Sequence, residues 1–129
     1  MIVIKDRLAD GHSMPISHLL DLITEVVDFF EHERGLRIFR IGGVGDRIWA
    51  LERRIDCGEE RIELTLKQLQ SLLRDETQCI EELHCEYNDL IFGLSDSSFL
   101  FLQAGDKRIE THISSGFRDV TNVDDRPLR

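Results

Sequence analysis

The most apolar and most β-prone stretch of the chain extends from Leu90 to Gln103. It predicts two strands, Leu90–Leu94 and Ser98–Gln103, because the Ser-Asp-Ser sequence between them consists of residues whose short polar side chains favour a turn. Successive side chains of a strand point to opposite faces, so the second strand places its phenylalanines on one face and its leucines on the other. Both faces then need cover, which predicts a central position in a sheet.

Apolar residues at spacings of three and four predict a long helix between Ser13 and Gly35. Ser13 is the expected N-cap, and Pro15 fits the first helical position, where its missing N–H costs nothing. Gly35 is expected to close the helix, since glycine readily adopts a left-handed conformation.

The polar side of this helix carries three carboxylates, Asp21, Glu25 and Asp28, with His18 and His32 beside them. Acidic residues at i, i+4 and i+7 share one side of a helix and repel one another weakly. The pattern is typical of a solvated helix face. It is also the best localised candidate surface for docking a basic partner.

Two segments, Leu36–Ile41 and Arg47–Ile55, are predicted to form a hairpin around the glycine-rich sequence between them. Phe39 would then face Trp49 across the ladder. Both faces of this hairpin are apolar, which requires helices on both sides or a partner, and a homodimer through the Phe39/Trp49 face is one expectation. A glycine-rich loop that opens a helix can bind phosphate, but here a strand pattern follows, which favours a flexible hairpin tip.

The remaining elements are shorter. Thr65 and Gln68 have the spacing of a capping box and predict a helix to about Arg74. Asp106 is expected to cap a third helix that Gly116 ends. Further strands are predicted at Ile2–Lys5, Arg61–Leu64, Cys79–Tyr87 and Phe117–Val123.

The resulting order βαββ(β)αβββαβ predicts a single α+β domain over residues 1–123. We expect a mostly antiparallel sheet of five to seven strands with three helices packed on it, because hairpins dominate over long crossovers. Residues 124–129 are expected to form a flexible tail, because they combine charge, proline and a terminal position.

The charge balance bears on the choice of partner. The chain has 129 residues, of which 25 are acidic and 16 basic, and its net charge is −9. Such a surface attracts basic proteins and repels anionic membranes, and direct nucleic-acid binding is not expected because the arginines near the predicted hairpin are interleaved with acids. Three cysteines without a CxxC pair predict reduced thiols in the cytoplasm, and no segment has the length and apolarity of a membrane span.

Catalytic and metal-binding patterns are weak. Cys79, His84 and Cys85 lack the short regular spacings of zinc ligands, and neighbouring strand residues point apart. Glu110 and His112 could serve in proton transfer, but residues two apart on a helix face different directions. The sequence therefore predicts no metal and no cofactor.

These features predict a small acidic binding protein without enzymatic activity. Its sharpest form is an immunity or inhibitor protein that occludes the active site of a basic partner, for example a nuclease toxin. The alternatives are a small cytosolic enzyme whose acid–base pair is assembled only in the fold, and an adaptor or subunit of a larger assembly. The predicted contact residues are Asp21, Glu25, Asp28, Phe39, Trp49, Glu59 and Glu60.

Overall fold

The computed structural model describes residues 1–6, 14–30, 35–59 and 62–123. Within them the chain forms seven strands and four helices in the order βαβαβαβββαβ. The strands are β1 (Ile2–Ile4), β2 (Leu36–Val44), β3 (Ile62–Leu64), β4 (Cys79–Tyr87), β5 (Leu90–Ser95), β6 (Phe99–Gln103) and β7 (Val120–Asn122). The helices are α1 (Ile16–Phe29), α2 (Asp46–Asp56), α3 (Leu66–Arg74) and α4 (Lys107–Ser114).

The strands form one sheet in the order β3-β2-β4-β5-β6-β1-β7, and every neighbouring pair is antiparallel. This confirms the predicted α+β class, with four helices in place of three. The apolar run from Leu90 to Gln103 forms β5 and β6, and the pairing of β5 with both β4 and β6 confirms its central position. The two edge strands, β3 and β7, have three residues each.

All four helices contribute to an apolar cluster on one face of the sheet, the helical face. A row of strand side chains crosses this face in register, and none of them is more than 4% exposed: Ile41, Leu83, Leu94, Leu100 and Ile4. A fully buried side chain of this size stabilises the fold by about 1.5–3 kcal/mol. The helical face therefore provides most of the apolar stabilisation. Its helical members include Leu19, Ile23, Val26, Ile48, Leu69 and Ile113.

The opposite face of the sheet carries a smaller apolar cluster made of Met1, Val3 and Phe101. The ring of His84 extends it, with ring centroids 4.8 Å from Phe101 and 5.7 Å from Phe39. In the described ranges no helical residue belongs to this cluster. The helices therefore cover one face of the sheet and not both.

The predicted strand at Arg47–Ile55 is wrong, because these residues lie in α2. Ile48, Leu51 and Ile55 repeat at spacings of three and four, and all three contact the cluster of the helical face. Phe39 and Trp49 consequently do not pair across a ladder. The hairpin face that suggested a homodimer does not exist.

Helix α1 confirms the amphipathic prediction but is shorter than expected. It begins at Ile16, directly after Pro15, and ends at Phe29, so Gly35 does not close it. The predicted N-cap Ser13, the segment 31–34 and the predicted tail 124–129 lie outside the described residues.

Two helix starts confirm local signals in the sequence. At α3, the Gln68 amide N–H donates to the Thr65 hydroxyl at 3.1 Å and the Thr65 N–H donates to the Gln68 side chain at 2.9 Å, which completes the capping box. At α4, Asp106 accepts a hydrogen bond from the Arg108 N–H at 2.9 Å. These bonds satisfy amide groups that have no partner inside the helix.

The turn between β5 and β6 joins three parts of the fold. Its Ser97 N–H donates to the Glu81 carbonyl at 2.7 Å, and its Asp96 N–H donates to the Glu82 carboxylate at 2.6 Å. On the other side, the Ser97 carbonyl accepts from the Met14 N–H at 2.9 Å. The turn is thereby fixed to β4, and the chain is held to it shortly before α1 begins.

β5 and β4 approach closely at Gly93, which lies opposite His84 and has a φ of +152°. L-amino acids rarely adopt this backbone conformation. A Cβ atom at this position would also collide with the Leu83 carbonyl oxygen. Glycine is therefore required in the middle of β5, the central strand of the sheet.

We expect Gly93→Ala to lower the free energy of unfolding by about 2–4 kcal/mol, because backbone strain and a main-chain collision act together in a central ladder. Gly105→Ala is the matched control, since no atom lies within 4 Å of the added Cβ. Its effect should stay within about 0.5 kcal/mol. Urea denaturation measures both, and equal stabilities of the two variants would contradict the expectation.

Candidate functional site

A cleft of about 920 Å³ lies between α1 and two segments that flank the edge of the sheet. One segment follows β1 and the other precedes β7. The lining residues are His18, Asp21, Thr24 and Glu25 from α1, Lys5 and Asp6 from the first segment, and Gly116, Phe117, Arg118 and Asp119 from the second.

Asp6 holds the two segments together. Its carboxylate accepts hydrogen bonds from the backbone N–H of Arg118 at 2.8 and 3.1 Å and from that of Asp119 at 2.5 Å. The Lys5 N–H donates in turn to the Asp119 carbonyl at 2.8 Å. These bonds use the main chain, so the side chains of Lys5 and Arg118 remain exposed beside the cleft.

His18 is oriented by the same segment. Its Nδ1 lies 2.8 Å from the backbone carbonyl oxygen of Asp6. A carbonyl oxygen only accepts, so Nδ1 carries the proton and Nε2 carries the lone pair of the neutral ring. A histidine held in this way presents Nε2 as an acceptor for a proton or for a donor group of a ligand.

Four carboxylates and two permanent cations line the cleft. Asp6 is engaged by main-chain donors, whereas the other five charged groups form no ion pair with any residue in the described part of the chain. Their opposite charges are therefore more than 4.0 Å apart. The groups concerned are the carboxylates of Asp21, Glu25 and Asp119 and the cations of Lys5 and Arg118.

The structure keeps the three predicted acidic residues of α1 on one surface. Asp21 and Glu25 line the cleft, and Asp28 is exposed on the next turn, outside the lining. Helix α1 contains no lysine or arginine. We call Asp21, Glu25 and Asp28 the acidic surface of α1.

The other predicted contact residues lie elsewhere. Hydrogen bonds from the Arg54 guanidinium, at 2.6 and 2.8 Å, engage the Glu59 carboxylate and lower its pKa. Trp49 is 51% exposed on α2, and its indole N–H donates to the Gly43 carbonyl of β2 at 3.0 Å. Phe39 packs edge-on against His84, and Glu60 lies outside the described residues.

The glycine-rich sequence at the end of β2 is followed by α2 and not by a second strand, so it is not the predicted hairpin tip; a strand end that leads into a helix is the context in which such loops bind phosphate. Here the first amides of the helix already have protein partners. The Gln78 side-chain oxygen accepts from the N–H groups of Arg47 at 3.0 Å and Ile48 at 3.2 Å, and Asp46 accepts from Arg47 at 2.9 Å. Gly45 admits Gln78, because a Cβ at φ +136° would collide with the Gln78 amide. The anion-binding end of α2 is therefore closed by the chain itself.

A buried histidine, His84, pairs with the half-buried Glu82 on the opposite face of the sheet. His84 is 3% exposed, and its Nε2 lies 2.8 Å from the Glu82 carboxylate. Its Nδ1 is buried and has no hydrogen-bond partner in the described structure. Burial lowers the pKa of His84 and outweighs the opposing effect of Glu82. The enclosed ring is suited to packing rather than to contact with a substrate.

The remaining candidates from the sequence do not converge. Cys85 is buried on the helical face, where burial raises the pKa of its thiol, whereas Cys79 is exposed. Glu110 is 1% exposed and accepts from the Ala104 N–H at 3.3 Å, while His112 is exposed. Over the described ranges, no group of three or more His, Cys, Asp or Glu side chains is placed to hold a metal ion.

Comparison with protein-family models, with curated proteins and with solved structures finds no significant match to the chain. No helix in the described residues combines the length and the apolarity needed to cross a bilayer. Function is therefore inferred from the surfaces of the chain itself.

The buried histidine makes stability depend on pH. The pKa of His84 in the folded chain lies below its ordinary value of 6.5. As the pH falls below 6.5, this histidine therefore becomes protonated in the unfolded chain before it does so in the folded chain. We expect the free energy of unfolding to decline as the pH falls from about 6.5 towards the pKa of folded His84. Above about pH 6.5 the ring is neutral in both states, so His84 should add no pH dependence there.

Denaturation at a series of pH values checks this, with two variants. His84→Gln should flatten the decline just below about pH 6.5, where the carboxylates are still ionised. His112→Gln, at an exposed position on α4, should keep the profile of the original chain. The expectation is wrong if the profiles of the original chain and of His84→Gln run parallel through this interval.

Proposed function

We propose that the chain is a non-enzymatic protein that binds a basic protein partner through the acidic surface of α1. One observation carries the proposal: three exposed carboxylates lie on a helix without lysine or arginine and make no ion pair with any described residue. Their negative charge is therefore directed at solvent and available to a partner.

Beside each of the other three helices, an acidic side chain forms an ion pair with an arginine of the chain. Glu59 pairs with Arg54 at 2.6 Å, Asp75 with Arg47 at 3.0 Å and Asp106 with Arg108 at 2.9 Å; each pair joins one carboxylate to one guanidinium. The fields of the two opposite charges in such a pair largely cancel at a distance, so the pair attracts a distant partner only weakly. The acidic surface of α1 forms no such pair, so its three charges, which are part of the net charge of −9, remain able to attract cations.

The partner chemistry that fits best is a basic active site, as in a nuclease that binds phosphates. Neighbouring residues three or four apart on a helix have Cβ atoms about 5–6 Å apart, so the three carboxylates form a regular line of charge. Such a line can occupy a groove built for a phosphate backbone. An immunity or inhibitor protein would use it to block the groove, with electrostatic attraction supplying fast association.

The cleft favours a second candidate, a small enzyme that uses general acid–base chemistry. His18 presents Nε2 as a proton acceptor, and Asp21 and Glu25 line the same cleft. A histidine and a carboxylate that converge on one cavity are the minimal set for proton transfer. No particular reaction is favoured by the arrangement, which ranks this candidate below the binding protein.

The triple variant Asp21→Asn/Glu25→Gln/Asp28→Asn tests the first proposal. Its binding to purified basic nuclease domains is measured, including any such domain that a neighbouring gene encodes. We expect its association rate constant at low salt to be at least about tenfold lower than that of the original chain. The difference should shrink when salt is added, because exposed charges are screened. Surface plasmon resonance at two salt concentrations measures both effects.

The matched control is Glu52→Gln/Glu76→Gln/Glu81→Gln, which removes the same charge from residues outside α1. Its association rate should stay within about threefold of the original. The proposal fails if the chain binds no basic domain even at low salt. It also fails if both triple variants slow association equally, since net charge alone would then explain the binding.

A further inference from the structure

The geometry points to a ligand for the cleft itself: a short peptide that ends in lysine or arginine. We infer that the α-carboxylate of its last residue lies at Lys5 and Arg118, and that its basic side chain lies at Asp21 and Glu25. The site requires no metal ion and no cofactor in this assignment.

The size of the cleft suits a ligand larger than a single ion. Its volume of about 920 Å³ lies near the upper end of the range of about 300–1,000 Å³ that small-molecule sites occupy. The half-buried ring of Phe117 supplies an apolar part of the wall. Polar groups that converge around an apolar surface are the usual composition of such sites.

The distribution of charge selects a ligand that carries both signs. Asp21 and Glu25 belong to α1, whereas Lys5 and Arg118 belong to the two segments that the Asp6 carboxylate and the Lys5 N–H hold together. Because no oppositely charged pair in the cleft comes within 4.0 Å, the charges do not neutralise each other. An inorganic anion would pair only with the cations of the cleft, and a metal cation only with its carboxylates. A ligand that carries both charges pairs with both groups.

Because carboxylates outnumber cations in the cleft, the best ligand carries a permanent positive charge on a flexible side chain that can reach them. A lysine or arginine side chain meets this condition, and its aliphatic stem can lie along the Phe117 ring while its charge reaches α1. At the other end, the Arg118 guanidinium can hold a carboxylate with two parallel hydrogen bonds. The Nε2 atom of His18 is available to accept an N–H of the peptide.

The inference stands apart from the proposed function, although both use Asp21 and Glu25. Asp28 separates them, because it belongs to the acidic surface of α1 but not to the lining of the cleft. Asp28→Asn should therefore weaken the binding of a basic protein and leave the binding of a short peptide unchanged.

Isothermal titration calorimetry with three peptides tests the site. The probes are acetyl-alanyl-alanyl-arginine with a free carboxylate, the same peptide as its amide, and acetyl-alanyl-alanyl-glutamine with a free carboxylate. We expect the first to bind and the other two to bind at least about tenfold more weakly, since each lacks one charge. Arg118→Gln should abolish the preference for the carboxylate over the amide, and Glu25→Gln the preference for arginine over glutamine.

Several outcomes overturn the inference. It fails if the original chain binds none of the peptides, or if it binds all three with equal affinity. It also fails if Asp28→Asn weakens binding of the arginine peptide as much as Glu25→Gln does, because the attraction would then be a property of the whole helix. Circular dichroism of each variant establishes that the exposed substitutions leave the fold intact.

Discussion

The position of α1 depends on the hydrogen bonds of one turn. The Ser97 N–H donates to the Glu81 carbonyl of β4, and the Ser97 carbonyl accepts from the Met14 N–H. A single residue thereby connects the middle of the sheet to the start of the helix. Because the cleft and the acidic surface are both built on α1, this turn in the central hairpin and the buried side of the helix together set their location. The segments of Lys5 and Arg118 then meet the helix at a fixed place, where Asp6 binds both the main chain of residues 118–119 and the ring of His18.

The outward direction of the acidic residues is imposed by the apolar side of the same helix. Burial of Leu19, Leu22 and Ile23 stabilises the packed helix by several kcal/mol, at about 1.5–3 kcal/mol for each side chain. Repulsion between acids at i, i+4 costs only about 0.2–0.5 kcal/mol. The core therefore fixes the rotation of α1 about its axis, and the carboxylates stay together at the surface despite their mutual repulsion.

Local signals in the sequence predicted the parts of the fold that depend on neighbours in the chain. The capping box at Thr65, the cap at Asp106 and the turn after β5 each rest on residues a few positions apart. The sequence does not reveal helix α2, because Ile48 and Trp49 favour strands and come shortly after five residues, 42–46, that resemble a hairpin tip; the helical spacing of Ile48 and Leu51 is the signal that points to the helix. The acidic side of α1 was visible from periodicity, whereas Lys5 and Arg118 join the cleft through pairing between distant segments that no short pattern encodes.

The edges of the sheet determine how this protein can associate with others. An open edge of unpaired amides and carbonyls invites strand addition and aggregation, and natural sheets protect against it with short or covered edges. Within the described residues β3 and β7 have three residues each, while α2 packs against β2 and the Trp49 indole N–H donates to the Gly43 carbonyl. The exposed Trp49 side chain thus satisfies a β2 carbonyl that an added strand could otherwise use. Association through main-chain ladders is disfavoured, which leaves side-chain chemistry to decide what the protein recognises.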